Sequence, residues 1–250
     1  MIIKAEDFCT GSNASLGVAE AIKKMQSGDT LLFSKGEYHF YKDYSVHKVC
    51  HMTNTDSFKA PDKYFAILIE NKEDICIDGG GATFVIHGDM CAFAMRGCKN
   101  VKLRNFTIRY YAPTNFEMKV LERTRNKIIY KVPPHTEFQV KRNKLTFFEK
   151  SPFTGKWYYS YTSNVGTCCN VIHRGNNVFR TMLSPTKTAV KVKKTGDNTI
   201  ECRYLISPHF EIGDIVTLSR NKLRDNCGLF FGECQNVCCE GITVNYMHGF

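Results

Sequence analysis

Apolar residues follow two different periods along this chain. From Ser15 to Met25 (Ser-Leu-Gly-Val-Ala-Glu-Ala-Ile-Lys-Lys-Met) they recur at helical spacing, which predicts a helix with Ser15 as candidate cap and Gly28-Asp29 as its end. Beyond it, Thr30-Leu31-Leu32-Phe33 and Lys35-Gly36-Glu37-Tyr38-His39-Phe40 read as strand, turn and strand. The stretch Met95–Tyr110 then superimposes on Phe231–Tyr246: Cys-x-Asn-Val followed by apolar-Thr-apolar-x-Tyr occurs in both, with Asn236 in the place of Asn100. A third copy, shorter at its turn, runs from Leu68 to Gly79 with Asp74 in that same place.

A unit of about 20–30 residues, built of short strands separated by Gly, Asn or Asp turns and lacking a helical period, suits one coil of a solenoid. The predicted fold is therefore all-β: a right-handed parallel β-helix with an N-terminal capping helix. Ile75, Val101 and Val237 are expected to point inward in one row. Asp74, Asn100 and Asn236 should sit where the chain bends, because Asn and Asp tolerate left-handed backbone and hydrogen-bond their own turns. Cys98 and Cys234 fall in an inward row and read as stacked buried thiols. Asp78-Gly79-Gly80-Gly81 lacks the Lys-Ser/Thr of a phosphate loop and reads as a tight corner. A helix across the first coil would shield its edge.

Residues 111–226 are too many for a loop. Lys127–Val132, Lys144–Phe148, Ala189–Val192, Thr199–Tyr204 and Phe210–Leu218 alternate like short antiparallel strands, so a β-barrel-like domain is expected here as an insertion. The domain reading is 1–110 for the helix and first coils, 111–226 for the insertion, and 227–250 for a resumed, truncated coil. Charge follows the same division. Residues 116–226 carry 20 Lys/Arg against 9 Asp/Glu, whereas the whole chain has a net charge of +10. The cations are dispersed among apolar residues and no nucleic-acid motif accompanies them, so they read as a solvated β-surface and no nucleic-acid partner is expected.

Twelve cysteines form no Cys-x-x-Cys pair, and Cys234 with Cys238-Cys239 fits no zinc module; no metal or cofactor is expected. Free thiols favour a reducing compartment such as the cytoplasm. The segment Met1–Asp7 lacks the basic region and the roughly 7–15-residue apolar run of a secretory signal, and no stretch approaches the roughly 18–20 apolar residues of a membrane span.

Gly36–Tyr41, Asn54-Thr55-Asp56, Ile77–Gly88, Val101–Ile108 and Glu240–Phe250 together resemble glycoside hydrolase family 110, the exo-acting α-1,3-galactosidases, over nearly all of the chain. The resemblance implies a parallel β-helix bearing an inserted β-barrel, and release of terminal α-linked galactose from glycans by inverting hydrolysis without a cofactor. Two features depart from the family pattern. Arg109 stands where an acidic residue is expected after Asn105–Ile108, and the adjacent aspartates thought to carry the chemistry are missing, since the chain contains no Asp-Asp pair. Inverting hydrolysis needs two carboxyls about 6.5–9.5 Å apart, one to protonate the leaving oxygen and one to activate water. Those carboxyls are expected beyond residue 250, which makes the chain an inactive N-terminal fragment.

Substrate-binding candidates are Asn54 and Asp56, near His51 in an early loop, and Tyr246 with His248 near the C-terminus. Aromatic rings and carboxylates suit sugars, which offer apolar faces and many hydroxyls. Asn54 and Asp56 read first as turn residues and Tyr246 first as a stacked ring, while His248 reads equally as a loop imidazole. The competing functions are a non-catalytic glycan-binding or structural β-helix, and another carbohydrate-active β-helix such as a lyase or pectinase-like hydrolase.

Overall fold

The computed structural model describes residues 1–53, 55, 57–112, 115–134, 136–162, 170–181, 185–186, 188–219 and 226–248. The described residues are predominantly β-strand, with one α-helix. Up to Tyr110 the elements are β1 (Ile2–Lys4), α1 (Ser15–Lys24), β2 (Thr30–Leu32), β3 (Glu37–Tyr41), β4 (Val46–Val49), β5 (Asp62–Glu70), β6 (Cys76–His87), β7 (Cys91–Arg96) and β8 (Lys99–Tyr110). Then come β9 (Asn115–Arg123), β10 (Lys127–Lys131), β11 (Phe138–Lys141), β12 (Lys144–Lys150), β13 (Trp157–Thr162), β14 (Asn170–Arg174), β15 (Asn177–Thr181), β16 (Lys191–Gly196), β17 (Thr199–Arg203) and β18 (Ile215–Ser219). The last two are β19 (Leu229–Gly232) and β20 (Gln235–Asn245).

The chain divides into two compact units: Met1–Tyr111 with Ser151–Tyr158 and Leu223–Phe250, and Ala112–Lys150 with Tyr159–Lys222. In the first unit, a six-stranded sheet has the order β1-β2-β6-β8-β20, with β3 also on β6, and all its pairings are parallel. A second sheet has the order β19-β7-β5-β4; its pairs β19/β7 and β7/β5 are parallel and β4/β5 is antiparallel.

The sequence repeat and the strand register coincide. Cys76 pairs with Lys102 and Ile67 with Phe93, the same offset that separates Asp74 from Asn100. Val101 pairs with Val237 and Phe93 with Leu229, the offset that separates Asn100 from Asn236. Ile75 and Val101 are buried and Val237 packs against the same core. Because the pairing is parallel, equivalent positions stack: the inward rows repeat apolar residues, as Ile75, Val101 and Val237 do, whereas the row Asp78, Arg104 and Glu240 alternates in charge. Phe84 stacks on Phe106 at 4.9 Å between ring centroids, and Phe106 meets Phe93 of the other sheet at 5.9 Å, so both parallel sheets feed one core. Cys98 is fully buried there, with Cys234 packed against the same cluster, and burial pushes the Cys98 thiol up.

The bends carry the expected polar residues. Asp74, Asn100 and Asn236 all take positive φ, at 53°, 51° and 52°. The Asn100 Nδ2 donates to Asp74 Oδ1 at 2.8 Å and the Asn236 Nδ2 donates to Asn100 Oδ1 at 2.9 Å, a side-chain ladder across three successive bends. The Asp78–Gly81 corner is a bulge within β6. Asp78 Oδ1 accepts the Gly80 N–H and Asp78 Oδ2 accepts Arg104 Nε–H at 2.8 Å. A Cβ on Gly80, whose φ is +54°, would lie 2.3 Å from the Phe33 carbonyl oxygen, so this corner admits only glycine.

The helix differs from expectation at its start. Ser15 is its first residue, not its cap; the cap position is Ala14, and the Ser15 N–H donates to Asn13 Oδ1. The Ser15 hydroxyl accepts the Tyr41 N–H instead, so it is consumed in tying α1 to β3. Val18, Ala21 and Ile22 bury the apolar face of α1 in the first core.

The second unit contains a seven-stranded sheet, β15-β14-β18-β9-β10-β17-β16, whose pairings are all antiparallel. Alternation places Phe116, Met118, Val120, Ile128, Tyr130, Ile200 and Cys202 on the buried face. Two buried tyrosines keep their hydroxyls satisfied: those of Tyr130 and Tyr204 are 2.9 Å apart, and Tyr204 donates to the Pro185 carbonyl.

Candidate functional site

Strands β3, β6 and β8 of the six-stranded sheet end at Tyr41, His87 and Tyr110, and pairing in register brings the residues at those ends together. Tyr41 stacks on His87 at 4.3 Å and the Tyr111 ring meets His87 at 4.5 Å with a 30° tilt, forming a three-ring strip. His39 lies alongside, its Nδ1 2.8 Å from His87 Nε2, so one imidazole donates and the other accepts. Burial lowers the His87 pKa to about 4, with the Arg109 cation adding to the effect, and burial lowers His39 as well. Both rings are therefore neutral near pH 7, one serving as hydrogen-bond donor and the other as acceptor. Glu37 closes the group: it accepts from Arg109 Nη2 at 2.7 Å and lies 3.5 Å from His39 Nε2. Arg109, which departs from the family pattern, is thus half of an ion pair.

Next to this strip is a buried polar cluster around Asp89, which is 3% exposed. Asn226 Nδ2 donates to Asp89 Oδ1 at 3.1 Å, and His248 Nδ1 lies 3.8 Å from the same oxygen with its side chain fully buried. The His248 ring stacks on Tyr110 at 4.2 Å. Tyr110 is itself buried and donates its hydroxyl to the Met90 carbonyl at 3.0 Å; burial holds its pKa well above the ordinary phenol value, so it stays a donor. Asp89 thereby gathers Asn226 and His248, from distant stretches of the chain, at one buried point. Among the described residues, no three His, Cys, Asp or Glu side chains gather as a metal centre requires.

The structure brings His248 to this cluster. Tyr246 lies two residues before it, half exposed and at a positive φ of 57°. Asn54 and Asp56 lie outside the described residues, and His51 packs on the exposed ring of Phe58. Sequence reasoning missed Asp89, Asn226, Tyr110 and the His39–His87 pair. A signal for the first was present, since extending the Asn100/Asn236 alignment upstream places Asp89-Met90-Cys91 over Asp225-Asn226-Cys227.

No protein-family model matches the chain. It is similar to curated enzymes named α-1,3-galactosidase. It is 23% identical to α-1,3-galactosidase B of Bacteroides thetaiotaomicron over 99% of this chain, and 27% identical to α-1,3-galactosidase A of Streptomyces avermitilis over 96%. It is 29% identical to an α-1,3-galactosidase B of Phocaeicola vulgatus over 96%. The resemblance read from the sequence therefore holds across almost the whole chain. The chain spans about 40% of the length of these relatives.

Proposed function

We propose that this chain is the N-terminal portion of a glycoside hydrolase that releases terminal α-1,3-linked galactose from glycans by inverting hydrolysis. The observation that carries this reading is the similarity to α-1,3-galactosidases from three bacterial genera over at least 96% of the chain. The parallel register, which follows the sequence repeat, supports a right-handed parallel β-helix, with residues 111–226 as a barrel-like insertion and 227–250 as a resumed coil. In this reading the carboxyl pair that protonates the leaving oxygen and activates water comes from coils beyond residue 250. The residues of this chain contribute substrate binding through Asn54, Asp56, Tyr246 and His248, the last of them lying against the buried Asp89.

The test is to express the polypeptide extended past Phe250 and to assay it against an α-1,3-linked galactoside. Release of galactose of inverted anomeric configuration, abolished by Asp-to-Asn changes in the added coils, is the expected result. Absence of turnover in the extended protein overturns the hydrolase reading and leaves a glycan-binding or structural protein.

A further inference from the structure

Within the first unit, the segment Ser151–Tyr158 packs against the Lys42–Tyr44 turn that follows β3. The Ser151 Oγ accepts the N–H groups of Phe153 and Thr154 at 3.1 and 3.0 Å and donates to Asp43 Oδ1 at 3.1 Å. The Ser151 N–H donates to the Lys156 carbonyl and the Gly155 N–H to the Ser151 carbonyl, while Tyr158 donates its hydroxyl to Asp43 Oδ2. These hydrogen bonds together fix a short loop. That loop holds an apolar ring in water: Phe153 is 48% exposed, next to Tyr44 at 37%, and its ring meets those of Tyr41 and Tyr44 edge-on at 4.9 Å each. Trp157 of the same segment is 44% exposed.

We propose that Phe153 and Tyr44 form a platform that binds galactosyl saccharides. The proposal rests on the hydrolase reading for its choice of sugar and goes beyond it in assigning a binding site. A pyranose has one face of C–H groups, which packs on an aromatic ring, and a rim of hydroxyls, which can reach the second lone pairs of the Asp43 oxygens that hold Ser151 and Tyr158. A loop fixed in advance spends little entropy on binding, which suits a ligand whose affinity per contact is small. Tyr41 links the platform to the Tyr41–His87–Tyr111 strip, so a saccharide seated on Phe153 lies at one end of the ring row that leads toward the Asp89–His248 cluster.

The experiment uses this chain without extension and needs no turnover. Galactosyl-α-1,3-galactose is titrated by calorimetry, and the fluorescence of Trp157, the single tryptophan, is followed in parallel. The expected result is saturable binding weakened at least tenfold in Phe153→Ala and in Tyr44→Ala, with unchanged circular dichroism, since both side chains are surface-exposed. No saturable heat, or unchanged affinity in both variants, overturns the platform. The extended protein separates this result from the functional reading: turnover without binding at Phe153 removes only the platform, and binding at Phe153 without turnover removes only the hydrolase.

Discussion

Replacing Asn100 tests whether stacked polar side chains at the bends hold the parallel rows in register. Asn100 does two jobs: it occupies left-handed backbone at φ 51°, and it links Asp74 to Asn236 through bonds of 2.8 and 2.9 Å. Asn100→Gly keeps the backbone conformation and loses both bonds. At roughly 0.5 kcal/mol each for exposed bonds, plus about 0.5–1 kcal/mol for the flexibility of glycine, the cost is about 1.5–2 kcal/mol. Asn100→Ala loses the same bonds and adds a left-handed penalty of about 1–2 kcal/mol in place of the glycine entropy, for a total of about 2–3 kcal/mol. Urea unfolding followed by far-UV circular dichroism should therefore rank wild type above Gly and Gly above Ala. Asn236→Ala adds a second arm: it should cost less in the Asn100→Ala background than in the wild type, because the shared bond is already gone. An Ala variant as stable as the Gly variant, together with strict additivity of the two Ala changes, would refute both parts of the reasoning.

Acidification should weaken the first unit through His87. Its folded pKa of about 4 lies below the ordinary 6.5, so between those values the unfolded chain takes up a proton that the folded one refuses, and stability falls as pH falls through that window by up to ~3 kcal/mol. The groups facing it are His39, whose pKa is lowered in the same direction, with Glu37, Arg109, Tyr41 and Tyr111; a His87→Gln variant should flatten the pH dependence of the urea midpoint between pH 4 and 6.5. Phe84→Ala removes a fully buried ring that touches Phe33, Phe40 and Phe106, and should cost about 3–5 kcal/mol by thermal or urea unfolding. In the second unit, Arg174 forms a two-pronged pair with Asp214, which is 1% exposed; Arg174→Ala removes the paired cation and leaves that carboxylate with the Glu211 N–H, which should cost about 2–4 kcal/mol, whereas the double change Arg174→Ala with Asp214→Asn should recover part of it.

The parallel sheets were legible because parallel pairing stacks like on like. The return of Asn100 as Asn236, of Val101 as Val237 and of Cys98 as Cys234 is the register itself, written in the sequence at the same offset that β8 and β20 use to pair. The antiparallel strands picked out in the second unit were legible for a different reason, since alternation along Lys127–Val132 or Thr199–Tyr204 marks a sheet with one buried face. Neither signal reports which strand ends meet in space. Asp89 and Asn226 lie far apart in the chain, and only the parallel alignment of the strands beside them brings the amide within 3.1 Å of the carboxylate. Ser15 shows the opposite limit: its local sequence favours a cap, but the Tyr41 N–H takes its hydroxyl.

The same stacking logic explains why polar chemistry collects on one set of alternating positions of β3, β6 and β8. Between the sheets each row must be apolar, as Phe84 and Phe106 are, because neighbouring positions share one dry core. The alternate positions of the same strands carry the polar groups: Glu37, His39 and Tyr41 on β3, His87 at the end of β6, and Arg109 with Tyr111 on and just after β8, with Val85 between His39 and Arg109 and His87 between Tyr41 and Tyr111. A row of such groups spaced by one strand separation, about 4.8 Å, presents repeated rings and hydrogen-bonding groups along a line. A parallel stack that must keep one set of alternating positions apolar is therefore free to line up rings and hydrogen-bonding groups on the other set, as Tyr41, His87 and Tyr111 do.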